Sequence, residues 1–252
     1  MKPILTAMLR FLTVLFFATM VFMNYLANAL PINGKTTGEL SNAYPNLFVP
    51  AGITFSIWGI IYLLLAGYCV AQFLPAYRDI GTRINLLFII SCVFNALWII
   101  AWHYQKLPWS LVAMAGILVS LILINLQIRD LSPVLAKAAF GIYLGWICIA
   151  TIANVTALLV NTGWNGFSIQ QHIWTIIMIA TGTLIILLTI IRTNNPYIGL
   201  AVVWAFAGII IKRSDDYRSI VIAALVGILI VGIFTLLGFL GLLPPGSHQL
   251  RT

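Results

Sequence analysis

The 54 residues from Ala138 to Ile191, AAFGIYLGWICIATIANVTALLVNTGWNGFSIQQHIWTIIMIATGTLIILLTII, contain no Asp, Glu, Lys or Arg. A soluble helix keeps one charged face, and a helix in hydrocarbon cannot. At about 20 residues per crossing the run holds two spans, divided by the turn-like Asn161-Thr162-Gly163-Trp164-Asn165-Gly166. The pattern continues outward, with no charge between Arg10 and Lys35, Glu39 and Arg78, Arg83 and Lys106, Lys106 and Arg129, or Arg218 and Arg251. The whole chain is 62% hydrophobic, beyond the roughly 45–50% of soluble domains. The sequence therefore predicts an all-α, polytopic transmembrane helix bundle of about eight spans, 11–30, 51–74, 84–105, 108–128, 138–160, 171–191, 197–211 and 219–243. The segment 197–211 is the weakest, since it covers only ~22 Å of a ~30 Å core.

Net charge +8 does not indicate nucleic acid, because the basic residues are scattered over many loops without a basic face or a binding motif. With eight alternating spans, Lys2, Arg10, Arg78, Arg83, Arg129, Lys137, Arg192 and Arg251 fall on the amino-terminal side. Lys35, Lys106, Lys212, Arg213 and Arg218 fall on the other. Eight against five favours a cytoplasmic amino terminus in the cell (inner) membrane. The cluster 212–218 runs against that bias and leaves the orientation of the last third open. Lys2, Arg10 and Ala27-Asn28-Ala29 imitate a signal peptide, but the apolar stretch is long for one, so a retained first span is expected.

Cys69, Cys92 and Cys148 lie inside spans and read as small buried residues, without a disulfide framework. His103, His172 and His248 lack paired ligand spacing, so no metal site is expected. The spans offer no carboxylate or ammonium at mid-depth, which argues against proton relays and ion coupling. All ten prolines lie at span ends or in loops, and unbroken helices argue against carriers that unwind at the midplane. The loop 31–50 is too long for a simple turn and is expected to fold over one mouth of the bundle.

Three stripes carry the functional signal. Thr54, Trp58 and Tyr62 share about 80° of arc, and Ser91, Asn95, Trp98 and Trp102 share about 60°. The longest is Tyr143, Trp146, Ala150, Asn154, Ala157 and Asn161. An amide facing lipid would go unpaired, so Asn95 and Asn154 should face the interior or a ligand. Two plain readings compete with a pocket. Interfacial belts account for Trp109, Trp164, Trp174 and in part Trp102, and interhelical hydrogen bonding accounts for the asparagines. Gly141 and Gly145 form a GxxxG pair roughly opposite the Trp146–Asn154 stripe, and Gly116 with Ser120 is a second small-residue pair. One face of the fifth span can thus pack a helix while the other lines a cavity; a homodimer is compatible with such pairs.

These stripes, in this order, resemble the TspO/MBR family of tryptophan-rich sensory proteins, relatives of the mitochondrial translocator (peripheral benzodiazepine receptor). Pro50-Ala51-Gly52-Ile53-Thr54-Phe55-Ser56-Ile57-Trp58-Gly59-Ile60-Ile61-Tyr62 is similar to its proline-led second helix with F-x-x-W-x-x-x-Y. Phe94-Asn95-Ala96-Leu97-Trp98 is similar to its L-N-x-x-W, and Tyr143-Leu144-Gly145-Trp146 followed by Ala150 and Asn154 to its P-Y-x-x-W-x-x-F-A-x-x-L-N. Ile142 and Ile149 replace the family's Pro and Phe, and the first loop lacks its Trp. The likeness covers roughly residues 1–165, a TspO-like five-helix unit, with residues 166–252 as additional helices and a short tail.

The resemblance implies an interior pocket for flat or lipidic molecules, notably porphyrin (or haem) and sterols, with no required cofactor. By position it implies Trp58, Tyr62, Asn95, Trp98, Tyr143, Trp146, Ala150 and Asn154 as pocket residues. The expected role is a receptor or carrier in contact with membrane lipid, its partner a hydrophobic small molecule. A membrane enzyme on a porphyrin or lipid is the alternative, although no nucleophile–base or carboxylate pair is visible. An uncoupled transporter is the other. Residues 171–243 are expected to pack around the five-helix unit as support or as an oligomer interface, leaving the pocket within residues 11–161, although Trp204 could close it from the side.

Overall fold

The structure, a computed structural model, describes residues 2–30, 32–131 and 133–243. His248 and Arg251 lie outside them. The described helices are α1 (Lys2–Ala29), α2 (Thr37–Asn42), α3 (Ile57–Ala71), α4 (Arg78–His103), α5 (Leu107–Gln127), α6 (Val134–Asn161), α7 (Gln171–Thr193), α8 (Tyr197–Arg213) and α9 (Arg218–Phe239), with short 3-10 turns before α2, α3, α4 and α7. Seven stretches are long and apolar enough to cross a membrane: Ile4–Ala29, Gly52–Ala71, Asp79–His103, Leu107–Gln127, Val134–Asn161, Gln171–Thr193 and Arg218–Phe239. The remaining expected span, 197–211, is α8, a helix of 17 residues that rises about 26 Å. It recruits Lys212 and Arg213 at its carboxyl end, where cations oppose the partial negative charge of the last carbonyls.

Packing divides the chain into two compact units, Met1–Tyr44 with Trp58–Phe140, and Pro45–Ile57 with Gly141–Thr252. That partition follows contacts, whereas the sequence division at residue 165 follows resemblance.

In the first unit α4 packs against both α1 and α5. Gly116 of α5 makes the second contact possible, because a Cβ there would lie 2.6 Å from the Phe94 ring. Tyr68, Phe88 and Phe140 form an edge-to-face cluster with centroids 5.0, 5.1 and 6.0 Å apart, the offset geometry that ring quadrupoles favour. Beside it runs a closed polar chain. The Tyr68 hydroxyl donates to Asn85 Oδ1 (2.6 Å), Asn85 Nδ2 to Gln72 Oε1 (2.7 Å), and Gln72 Nε2 to the Cys69 carbonyl (3.0 Å).

Part of the 31–50 loop covers the end of α4, as expected. Thr36 caps α2 through a reciprocal box: its hydroxyl accepts from the Glu39 amide, and Glu39 accepts from the Thr36 amide at 2.7 Å. This α2 rests on α4, where Trp102 Nε1 donates to the Thr37 carbonyl at 3.5 Å and Tyr44 tilts onto the Trp102 ring. His103, fully buried, donates through Nδ1 to the Ile99 carbonyl (2.8 Å), leaving Nε2 to accept from Thr37 Oγ1 (3.5 Å). Trp102 is therefore a packing residue under the loop, not part of an interfacial belt.

The Thr36 contacts hold the Glu39 carboxyl below its usual range. A lowered folded-state pKa means stability present above the ordinary carboxylate pKa and lost as pH falls through the lowered one. Amide exchange in α2 is accordingly expected to accelerate, relative to the intrinsic rate, below the ordinary Glu range, and Glu39→Gln should blunt that dependence. An acid-insensitive α2 would show that the box does not hold the loop.

In the second unit small residues set the spacing. Gly141 and Gly145 of α6 lie against Asn195, Tyr197 and Ile198 at the start of α8, so the GxxxG face packs a helix as its pattern implied. Gly199 accepts Thr235 of α9, and Gly208 accepts Thr54 and Pro50. Pro50 precedes a 3-10 turn, Gly52–Ser56, rather than the first α-turn of α3. This entry segment docks on α8: the Ala51 amide donates to the Gly208 carbonyl (3.0 Å), and Trp204 Nε1 to the Thr54 carbonyl (2.9 Å). Trp204 thus ties α8 to the 3-10 segment Gly52–Ser56.

Candidate functional site

In the first unit the second stripe is wholly inside protein: Ser91 and Asn95 are fully buried, Trp98 is 7% exposed and Trp102 5%. Their spacing places Trp98 and Trp102 one turn apart on α4, and the two indoles stack at 6.0 Å and 22°. Trp58 and Tyr62 repeat the device on α3, stacked at 5.5 Å and 25°, and both are half-buried. Each pair offers a flat aromatic face built from a single helix, which costs little further ordering because the backbone holds both rings.

Asn95 is committed to the protein. Its Oδ1 accepts from Asn24 Nδ2 of α1 at 2.7 Å, and the same Asn24 amide donates to the Met20 carbonyl at 2.9 Å. The amide oxygen of Asn95 therefore joins α1 to α4, the interhelical role expected of polar groups in apolar helices. Asn24 and Asn95 lie 71 residues apart, and neither helix alone shows the pairing. Trp98 differs. Its Nε1 is buried and makes no hydrogen bond within the protein. A buried indole N–H without an acceptor costs about 1–3 kcal/mol.

In the second unit Tyr143 is fully buried, Trp146 and Asn154 are each 3% exposed, and Ala150 is half-buried. Phe55, from the 3-10 entry segment, meets Trp146 edge-on at 5.8 Å and 83°. The α6 stripe therefore faces protein over three turns, with Asn161 at its exposed end. Of the tryptophans assigned to an interfacial belt, Trp109 is 70% exposed and Trp164 38%, while Trp174 donates its N–H to the Gly166 carbonyl at 2.8 Å.

Among the described residues no group of three or more His, Cys, Asp or Glu side chains converges as metal ligands would. The stripes present aromatic faces and neutral amides in both units, and in the first unit also the Trp98 indole N–H without an acceptor.

No curated protein and no solved structure matches the chain. The family sequence model described as TSPO-like protein matches residues 10–237. The match runs past residue 165, the end of the sequence-stated likeness, through α7 and α8 and into α9, so these helices fall within the family pattern. With seven helices able to cross a bilayer and a family match over nearly its whole length, this integral multi-pass membrane protein belongs to the TSPO-like family.

Proposed function

We propose that the protein binds a hydrophobic planar ligand, a tetrapyrrole or a sterol-like lipid, and serves as a receptor or carrier for it rather than as an enzyme. The observation that carries this reading is the Trp98 indole, stacked on Trp102 and buried with an unused N–H. A planar ligand with a carbonyl or carboxylate edge supplies both a face to stack and an acceptor for that hydrogen. The proposal rests on the first unit and assigns Trp58, Tyr62, Asn95 and Trp98 to binding. Asn95 acts there through its hold on Asn24, which fixes the α4 face. Family membership supports the ligand class. The bias of basic residues, eight against five, supports a cytoplasmic amino terminus in the cell membrane.

A porphyrin titrated into the detergent-solubilised protein is expected to shift its own absorbance saturably, with affinity near micromolar order, about −8 kcal/mol. Trp98→Phe keeps a ring and removes the donor, so it should weaken binding roughly tenfold, while Trp109→Phe at the exposed edge should not. Linear, non-saturating uptake, or equal behaviour of the two variants, would mean partition into the micelle and would end the proposal.

A further inference from the structure

The second unit holds a cavity of about 570 Å³ that the stripes do not use. It lies between the carboxyl-terminal half of α6 and the first turns of α7, closed at one end by Pro45, Asn46 and Leu47 and by the 164–166 turn. Along α6 it runs from Thr151 to Val160, about 14 Å at the helical rise and so roughly half of a hydrocarbon core. Its volume falls within the roughly 300–1,000 Å³ of small-molecule sites.

The wall chemistry is specific. None of the lining residues is Asp, Glu, Lys, Arg or His. Ile152, Val155, Leu159 and Met178 give it an apolar length. Its three threonines have already used their hydrogens: Thr151 donates to the Ile147 carbonyl (2.7 Å), Thr156 to Ile152 (2.8 Å) and Thr175 to Gln171 (3.0 Å). Trp174 has likewise given its N–H to Gly166. What the threonines keep is oxygen lone pairs, which accept and cannot donate. The donors at the turn end are the side-chain amides of Asn165, whose Oδ1 accepts from the Phe167 amide, and of Gln171, both exposed.

The closing loop is held from outside. Arg213 donates through Nε to the Leu47 carbonyl (3.1 Å) and through Nη2 to the Asn46 carbonyl (2.8 Å), while Asn46 Oδ1 accepts from the Phe48 and Val49 amides. The one guanidinium at this loop thus spends two donors on main chain.

We propose that this cavity is a second binding site, for an uncharged chain lipid such as a fatty alcohol or monoacylglycerol, distinct from the site of the aromatic stripes. The apolar length takes the chain. The hydroxyl head sits at the turn end, where it accepts from the Asn165 or Gln171 amide and donates to an oxygen lone pair. A carboxylate there finds no cation among the lining residues to pair with.

The test uses full-length protein in nanodiscs and two photoreactive probes of equal length, a diazirine-bearing fatty alcohol and the matching fatty acid held ionised at alkaline pH. Labelled positions are read by peptide mass spectrometry. The alcohol is expected to label 151–160 and 174–178 saturably, to be displaced by unlabelled dodecanol, and to exceed the acid about tenfold there. Val155→Phe, which fills the slot, should cut that labelling about fivefold, while Val119→Phe on an exposed face of α5 should not. Porphyrin affinity should be unchanged in Val155→Phe, so the two sites are separable. Equal labelling by acid and alcohol overturns the ligand class. Labelling at exposed Leu123 and Leu229 to the same extent, or no displacement by dodecanol, overturns the site, and the displacement arm needs no variant to fold.

Discussion

Gly145→Ala is expected to destabilise the protein by about 3 kcal/mol, whereas Gly67→Ala is expected to be neutral or to stabilise it by about 0.5–1 kcal/mol. Both glycines lie inside membrane-spanning helices, so propensity alone favours alanine at each. Their surroundings separate them. A Cβ at Gly145 would run into the Ile198 carbonyl oxygen of α8, with Ala201 Cβ at 3.0 Å. A main-chain carbonyl within a helix cannot rotate aside, so α8 would have to move away from α6. A Cβ at Gly67 would meet only the Leu135 methyls at 3.5 Å, an ordinary contact. Reversible unfolding in mixed micelles, with helicity as the readout, should show a lowered midpoint for the first variant alone. Equal effects at the two positions would mean that close α6–α8 packing does not limit stability. The same measurement tests whether α8, short for a span, is held by packing rather than by its own hydrophobic length.

The residues show why some of this was readable in advance. Span positions follow from the absence of charge over whole segments, a property summed over 20 or so residues and insensitive to any single one. The GxxxG face was readable because one helix fixes it: Gly141 and Gly145 must lie on the same side whatever they pack against. The burial of Ser91, Asn95 and Trp98 was readable for the same reason. Partners were not readable. Asn24 and Asn95 are 71 residues apart, and neither shows in its own helix which oxygen it will meet. The 3-10 entry at Gly52–Ser56 was hidden because Pro50 announces a helix start without specifying the kind of turn. Trp204 was noticed as a ring, but it acts through its N–H on Thr54. The α6–α7 cavity had no sequence signature, since its lining comes from three segments whose threonines look polar yet have used their hydrogens on their own helices.

The polar chain in the first unit leads to the second large effect. Asn85→Leu removes the acceptor of the Tyr68 hydroxyl and the donor to Gln72 Oε1, and both partners are fully buried. Each orphaned group costs about 1–3 kcal/mol when it cannot find another partner. Bilayer-buried hydrogen bonds tend to the lower end, because the separated helices also find partners, so a combined loss of about 2–4 kcal/mol is expected. Cavity formation is not the cause, since Leu has the same branched outline as Asn and is the larger of the two. Adding Tyr68→Phe to Asn85→Leu separates the two accounts. If the orphaned hydroxyl carries the loss, the double variant should regain about 1–2 kcal/mol relative to Asn85→Leu, although Tyr68→Phe alone is destabilising. Purely additive losses in the four-member cycle would show that Tyr68 and Asn85 do not act as a pair. The remaining strain would then belong to Gln72, whose Nε2 keeps the Cys69 and Arg10 carbonyls while its oxygen would be left bare.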